Sequence, residues 1–234
     1  MTGFVRTICC LLAVLCLLSG CGARDADTVP ATSETSAPIP APAPTPETDL
    51  YVPEAVLDAW HTGDDSALSA KNKSILDAVR AVTGDLITED MSDYDRELAI
   101  HDWMTARGQY DPAMLSHDSS GVPDPDNDNP YGFLLHGKGV CLGYASTFQL
   151  FMDCLGIECI TVYGLSRGVN DHAWNMVRLD GDWYCVDVTW DDPVTAGRNH
   201  KYFNVTSEFM RQTKHQWDEQ NVPEATAAAL SRAG

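Results

Sequence analysis

The segment HAWNMVRLDGDWYCVDVTW, residues 172–190, constrains the fold of this 234-residue chain more than any other part. Its two halves are rich in β-branched and aromatic residues, and Asp180-Gly181 between them is a strong signal for a two-residue β-hairpin. Another strand-like segment, IECITVYGL at 157–165, precedes it. Residues 51–107 have helical spacing instead, with Gly84 predicted to end one helix and Ser92 to cap the next. Helices followed by an antiparallel sheet predict an α+β fold.

The predicted hairpin turn also determines which residues face each other. Pairing outward from Asp180-Gly181 places Trp174 opposite Asp187 and His172 opposite Thr189, with strand structure continuing to Trp190. One face of the hairpin then carries His172, Trp174, Cys185, Asp187 and Thr189. His172 and Asp187 become diagonal neighbours about 7–8 Å apart at the backbone, so an imidazole and a carboxylate come within reach of each other.

A cysteine stands at the start of another predicted helix. GKGVCLGYA, residues 137–145, places Cys141 in the first turn of a helix that is predicted to end at Gly156. The unpaired N–H groups of a helix N-terminus favour a thiolate. A lone cysteine is more often a buried apolar residue. Together with His172 as base and Asp187 to orient the imidazole, however, Cys141 has the partners that nucleophilic thiol catalysis requires.

The first fifty residues are expected to lie outside the folded domain. The apolar run from Ile8 to Leu18 is shorter than the roughly 20 residues that span a bilayer, and it predicts a secretory leader over residues 1–20. The sequence LSGC that ends at Cys21 resembles the lipobox of bacterial lipoproteins and predicts a lipid on Cys21. An ordinary signal peptide with an incidental cysteine is the alternative.

The Pro-, Ala- and Thr-rich residues 21–50 predict an extended tether, and residues 51–234 the folded domain. The predicted location is therefore the extracytoplasmic face of the cell membrane, with a lipid anchor.

Charge and motif spacing limit the partners of this chain. A net charge of −19 argues against binding to nucleic acid or to anionic lipid surfaces. The cysteines beyond Cys21 contain no C-x-x-C pair, which gives a zinc site little support, and their disulfide state stays open. DPDNDN at 124–129 has Asn129 and Leu135 where a calcium-binding EF-hand requires glycine and glutamate, so a solvated turn is expected. The sequence thus predicts no metal and no cofactor.

Several segments together resemble the transglutaminase-like superfamily. GKGVCLGYASTF, DHAWNMVRLDGDWYCVDVTWDDP and HKYFNV resemble its three sequence blocks, and RELAIHDWMTARGQYDP resembles the helix that precedes its core in bacterial members. The resemblance covers about residues 92–210. It implies a papain-like core in which Cys141 is the nucleophile, His172 the base and Asp187 the orienting carboxylate, with thiol chemistry on amide or other acyl bonds.

Two aromatic residues complete the predicted site. Tyr131, in NPYGFL just upstream of Cys141, is a candidate second donor to an oxyanion beside the Cys141 N–H. Trp174 shares the predicted catalytic face and is a candidate wall of the substrate cleft. Packing in the core is the alternative for both side chains.

The leading functional prediction is a lipid-anchored, extracytoplasmic thiol enzyme that acts on peptide or protein amide bonds. A peptidase or amidase is favoured over a cross-linking enzyme, and the predicted partner is a peptide or protein substrate, including cell-wall material. The alternative is a non-catalytic module that binds peptide or cell-wall material on the same fold. The complete set of Cys141, His172 and Asp187 favours the enzyme.

Overall fold

A computed structural model describes residues 49–115, 122–167, 170–193 and 197–232. The predicted leader, Cys21 and all but the last residues of the predicted tether lie outside this range. The helices are α1 (Pro53–Thr62), α2 (Ala70–Leu86), α3 (Asp93–Arg107), α4 (Pro112–Leu115), a π-helical turn (Gly132–His136), α5 (Cys141–Leu155), α6 (Val188–Asp191) and α7 (Ser207–Gln212). The strands are β1 (Gln109–Tyr110), β2 (Lys138–Gly139), β3 (Cys159–Ser166), β4 (Asn170–Leu179), β5 (Asp182–Val186) and β6 (His215–Trp217).

Local side-chain chemistry sets the starts of the N-terminal helices. Pro53 occupies the first turn of α1, where its missing N–H costs nothing. The Ser92 hydroxyl accepts a hydrogen bond from the N–H of Asp95 and caps α3, as predicted. The prediction that Gly84 ends α2 was wrong. The helix continues to Leu86 because Gly84 does not adopt the left-handed conformation that stops a helix. No helix in the described ranges has the length and apolar character needed to cross a bilayer.

A four-stranded antiparallel sheet with the order β5-β4-β3-β6 follows the helices and confirms the α+β class. The predicted hairpin register is confirmed from Leu179 opposite Asp182 to Asn175 opposite Val186. Asp180 and Gly181 both have positive φ, 52° and 93°, as a two-residue type I′ turn requires.

The predicted second strand of the hairpin is too long, because β5 ends at Val186. The Asp187 side chain accepts a hydrogen bond from the N–H of Trp190, which caps α6 and turns the chain out of the sheet. Thr189 therefore lies in a helix and does not pair with His172. The carboxylate of Asp187 stays near the sheet because the cap is the first residue beyond it.

Both faces of the sheet are covered, and α5 packs against β4. The face toward α5 and the N-terminal helices belongs to the larger apolar core, which contains Val177, Leu179, Tyr184 and Val186. The opposite face belongs to a smaller core that contains Val162, Trp174, Met176 and Cys185. The alternation along β4 and β5 thus follows the predicted parity, and burial of both faces fixes the strand register.

A buried acid in α3 makes the stability of this domain depend on pH. Glu97 is fully buried, and its Oε2 accepts a hydrogen bond of 2.8 Å from the side-chain N–H of Asn204. Oε1 of Glu97 and Oδ1 of Asn204 have no hydrogen-bond partner. Burial raises the pKa of Glu97 to about 8 from its ordinary 4.5, although the bond from Asn204 works in the opposite direction. A protonated Glu97 can donate from Oε1 toward Oδ1 of Asn204 and satisfy both atoms.

We predict that Glu97→Gln removes a pH-dependent loss of stability. Because the folded-state pKa of this acid is raised, folding takes up a proton between pH 4.5 and about 8, and stability falls as pH rises through that window. The slope contributed by one group reaches about 1.4 kcal/mol per pH unit. Urea unfolding of wild type and variant at pH 5, 6, 7 and 8 measures it. Equal slopes in the two proteins would contradict the prediction.

Candidate active site

Cys141 is the first residue of α5. Cys141 is half-buried, whereas Cys154, Cys159 and Cys185 are buried, and all four are free thiols. Val140 caps the helix without a side-chain hydrogen bond, so the first-turn N–H groups around Cys141 gain no side-chain acceptor from the cap. The turn at 124–129 packs directly on this helix. A Cβ at Gly143 would lie 2.2 Å from the Asn127 carbonyl oxygen, so only glycine fits there.

His172 and Asp187, predicted as diagonal neighbours, are in direct contact. Nε2 of His172 is 2.7 Å from Oδ2 of Asp187, and both side chains are buried. The other carboxylate oxygen, Oδ1, accepts the α6 cap bond from Trp190 at 3.0 Å. Asp187 is therefore held from two sides, by the helix it caps and by the imidazole it contacts.

The buried ion pair polarises both groups. Burial alone would lower the pKa of His172, but the charge of Asp187 and the hydrogen bonds of the ring with Asp187 and Cys141 outweigh it and raise this pKa to about 10. Burial alone would raise the pKa of Asp187, but the charge of His172 and the hydrogen bonds from His172 and His215 lower it to about 2. The paired, charged state is thus strongly favoured around neutral pH.

The ring orientation of His172 defines how it meets the thiol. Since Nε2 faces Asp187, Nδ1 is the nitrogen left for the hydrogen bond with the Cys141 side chain. A buried bond of 3.1 Å from the Asn175 side chain to the carbonyl of Ala145 joins β4 to α5. This bond fixes the strand that carries His172 against the helix that carries Cys141. The arrangement can pass a proton between a thiol and an imidazole whose far side is anchored by a carboxylate.

Tyr110, and not Tyr131, is the tyrosine at Cys141. The Tyr110 hydroxyl oxygen accepts a hydrogen bond from the backbone N–H of Cys141. The Tyr131 ring lies 5.2 Å from the Lys71 ammonium group and 5.2 Å from the His136 ring, and it packs against the larger core. These contacts fit the packing alternative for Tyr131.

Trp174 lies behind the catalytic face and does not line the cleft. It is 1% exposed, stacks on His172 at 5.9 Å and packs edge-on against Trp217 of β6. The expectation for this residue was wrong because β6 covers the same face of β4. Trp190 of α6 lies beside His172, with the two rings 5.8 Å apart. It lines a cavity of about 480 Å³ together with Tyr110, Arg167, Thr189, Lys201 and Tyr202.

His215 is a further site residue that the sequence analysis missed. Its Nε2 is 3.1 Å from Oδ2 of Asp187, the same oxygen that contacts His172, and the side chain is fully buried. β6 carries it to this position by pairing Ser166 with His215. No periodicity or motif links a three-residue strand to an aspartate 28 residues earlier. Tyr110 belongs to the segment RELAIHDWMTARGQYDP, but nothing in that segment distinguishes it from a core residue.

Comparison with known proteins agrees with this geometry. Residues 80–188, which include Cys141, His172 and Asp187, match the family model of the transglutaminase-like superfamily. Kyphoscoliosis peptidase of Mus musculus is 30% identical over 152 residues, which are 60% of this chain and 22% of that protein. The Homo sapiens protein of the same name is 32% identical over 139 residues, 55% of this chain and 20% of that protein. The chain thus spans about a fifth of the length of these curated relatives.

Solved structures align over part of the chain. A TGase crystal structure aligns with a TM-score of 0.42 and 17% identity, over 63% of this chain and 39% of that one. Legionella pneumophila LapG aligns with a TM-score of 0.35 and 11% identity, over 60% of this chain and 75% of that one.

The family match and the contact between thiol and imidazole together support a cysteine hydrolase or acyltransferase class. The domain that carries the site belongs to the transglutaminase-like superfamily, with the mixed helix and antiparallel-sheet core of that family.

Proposed function

We propose that this chain is a cysteine peptidase or amidase in which Cys141 attacks a peptide or protein amide bond, His172 transfers the proton and Asp187 orients the imidazole. The observation that carries the proposal is the chain of contacts from Cys141 to His172 and from Nε2 of His172 to Oδ2 of Asp187 at 2.7 Å. A packing cysteine needs no imidazole partner. A surface histidine needs no buried carboxylate.

These contacts support the following steps. The charged His172 already holds the Cys141 proton on Nδ1, so Sγ of Cys141 bonds directly to the substrate carbonyl carbon and the carbonyl oxygen becomes an oxyanion. The Tyr110 hydroxyl, whose oxygen accepts the Cys141 N–H, can donate its own proton to that oxyanion. Collapse breaks the C–N bond, and the leaving amine takes the proton from His172. Water then attacks the thioester, giving a proton to His172. Breakage of the C–S bond releases the carboxylic acid and returns Sγ of Cys141 to its place beside the protonated His172.

Hydrolysis is proposed in preference to transfer to an amine because of the names of the relatives. The two mammalian proteins that match over more than half of this chain are named as peptidases. An amine that replaced water in the second half of the reaction would give a transamidation product by the same steps. The product therefore distinguishes the two reactions, although the site residues do not.

A thiol-directed electrophile tests the proposal without a known substrate. Iodoacetamide at pH 7, followed by peptide mass spectrometry, is expected to modify Cys141 first. Burial raises the pKa of Cys154 and of Cys185 to about 12 and raises that of Cys159 as well, so these three thiols are expected to lag. Uniform modification of all four thiols only after denaturation would contradict the proposal.

Protein or peptide substrates can then be incubated in H₂¹⁸O with a primary-amine probe. One ¹⁸O in a new carboxyl group identifies hydrolysis, and a probe adduct identifies transfer. Cys141→Ala is the control that should form neither product.

The proposed place of action is the extracytoplasmic face of the membrane, with a lipid anchor on Cys21, a tether over 21–50 and the folded domain over 51–234. The short apolar run followed by LSGC supports this.

We predict that Cys21→Ser abolishes labelling of the protein by a fatty-acid analogue in bacterial cells, because the thiol is the acceptor of the lipid. In membrane fractionation the Cys21→Ser variant should be found in the soluble fraction and the wild-type protein in the membrane fraction. Ser19→Ala, which leaves the cysteine in place, is the matched control. Continued labelling of the Cys21→Ser variant would remove the lipoprotein proposal and leave the catalytic one untouched.

A further inference from the structure

A second cluster of ionisable side chains lies outside the catalytic site. It joins His101 and Asp102 of α3 to His200, which precedes the segment Tyr202–Asn204 packed on that helix. Nδ1 of His101 is 3.2 Å from Oδ1 of Asp102, and Nε2 of His200 is 2.6 Å from the same oxygen. One ligand atom from each residue lies within 4.8 Å of the other two. All three residues belong to segments that the sequence analysis singled out, RELAIHDWMTARGQYDP and HKYFNV, but the proposed reaction uses none of them.

Asp191 determines which nitrogen of the buried His101 ring carries a proton. His101 and Asp191 are both fully buried, and Nε2 of His101 is 3.1 Å from Oδ2 of Asp191. Oδ1 of Asp191 accepts a hydrogen bond of 2.9 Å from the N–H of Tyr202. The carboxylate is thus an acceptor on both sides, so Nε2 of His101 carries the proton that it receives.

Nδ1 of His101 then meets the carboxylate oxygen of Asp102 at 3.2 Å in one of two ways. It donates a second N–H from a charged ring, or it binds a cation that it shares with that oxygen. A metal-bound histidine commonly donates its other ring N–H to a carboxylate, which is the relation between His101 and Asp191. Nε2 of His200 brings a second imidazole nitrogen to the same oxygen of Asp102.

We propose that His101, Asp102 and His200 bind a divalent transition-metal ion, with zinc as the ion that fits these donors best. Two imidazole nitrogens and one carboxylate oxygen are ligands that zinc accepts, at bond lengths of about 2.0–2.2 Å. Such bonds place ligand atoms roughly 3.3 Å apart in a tetrahedron. The distance of 3.2 Å between Nδ1 of His101 and Oδ1 of Asp102 already meets this value. The 2.6 Å separation requires His200 to shift slightly, which its 32% exposed side chain allows.

Protein covers this cluster on one side, and solvent reaches it on the other. The Phe203 ring packs edge-on against both imidazoles, at 4.8 Å from His101 and 6.0 Å from His200. The Asp102 side chain is 50% exposed, so water or an external ligand can reach the fourth position. The three donors are two histidines and an aspartate, and His200 lies 98 residues after Asp102. The site is therefore not a short Cys-based zinc motif.

The bound ion would connect α3 to the wall of the cavity that Trp190 lines. The N–H of Asn199 and the N–H of Tyr202 both bond to Asp191, the last residue of α6, and Lys201 and Tyr202 line the cavity beside Trp190. Metal binding at His200 is therefore expected to fix this wall against α3 and to raise the melting temperature. The inference does not depend on the proposed peptidase activity, because it concerns residues that take no part in the reaction steps.

Zinc titration of the chelator-treated protein tests the proposal by isothermal calorimetry. The titration uses a Cys141→Ser background so that the catalytic thiol cannot act as a competing ligand. We expect one equivalent of zinc to bind and the melting temperature to rise with zinc concentration. His200→Gln and Asp102→Asn should each weaken binding by about 10-fold or more. His136→Gln should leave it unchanged, since His136 contacts Asp124 at 2.6 Å but belongs to no three-donor group among the described residues.

Circular dichroism without metal checks that each variant is folded, so a loss of binding reports the site itself. Two results would overturn the proposal. One is that the parent protein does not bind zinc. The other is that the parent and both site variants bind it with equal affinity.

Discussion

Replacing Asp187 with asparagine is expected to lower kcat/KM for amide hydrolysis by about 10⁴-fold while the domain stays folded. The two side chains are nearly isosteric, so packing around the buried position changes little. The loss comes from the proton that the carboxylate holds on His172, and it depends on the double role of Asp187 in this fold.

Oδ1 of Asp187 accepts the cap bond from the Trp190 N–H, while Oδ2 faces the two imidazoles of His172 and His215. Asparagine has only one oxygen. If that oxygen keeps the cap bond, the amide NH₂ faces Nε2 of His172, and this nitrogen must become an acceptor. The ring proton then moves to Nδ1, the nitrogen that should take the thiol proton, and the base is lost.

His215→Gln is the matched comparison, because it removes one imidazole from the same oxygen and leaves the carboxylate charge in place. We expect a much smaller loss of activity from it. Rates on any substrate identified by the ¹⁸O assay, with thermal unfolding as the check on folding, give the comparison. An Asp187→Asn enzyme as active as wild type would mean that another group orients His172.

Replacing His172 with alanine is expected to slow alkylation of Cys141 at pH 6–7 by roughly 100-fold or more, the lower range for loss of a general base. The imidazole contacts the thiol through Nδ1 and is held charged around neutral pH by Asp187, whose charge and hydrogen bond raise the pKa of His172 to about 10 against the effect of burial. Without the ring, the Cys141 thiol loses the group that receives its proton. Stopped-time labelling with iodoacetamide and peptide mass spectrometry measures the rate.

Two comparisons separate this effect from general damage. His136→Ala removes a half-exposed imidazole that contacts Asp124 and should leave labelling of Cys141 unchanged. Cys154, Cys159 and Cys185 should remain protected in both variants, because protection reports an intact core. If Cys141 reacts at the same rate with and without His172, the contact between them has no chemical role, and the binding-module alternative becomes the better account of this fold.

Loss of the His172 ring also leaves Asp187 without its closest charge partner. Opposite charge and hydrogen bonding lower the pKa of Asp187 to about 2 although burial alone would raise it. Breaking a buried ion pair by removing one partner is costly, typically about 3–5 kcal/mol. His215 still contacts Oδ2 in the His172→Ala protein and offsets part of that cost. The labelling experiment therefore needs the unfolding control at the same pH.

Local chemistry in the sequence determined the hairpin and, with it, half of the site. Asp180-Gly181 can adopt positive φ at both positions, and the alternation of β4 and β5 then leaves one register that buries both faces. Because strand pairing has a period of two, counting outward from the turn is enough to place His172 beside Asp187. The start of α5 at Cys141 was equally local, since a helix boundary depends on a few neighbouring residues.

The sequence did not determine what covers each face. Trp174 and Trp190 are both tryptophans near the site, but β6 buries the first, and the cap at Asp187 turns the second toward the cleft. His215, Tyr110 and the cluster of His101, Asp102 and His200 are assembled from segments separated by tens of residues along the chain. Their contacts depend on how helices, sheet and turns pack in three dimensions. Hydrophobic period and capping residues report on neighbours within one or two turns and carry no information about such long-range packing, so only the tertiary structure decided these positions.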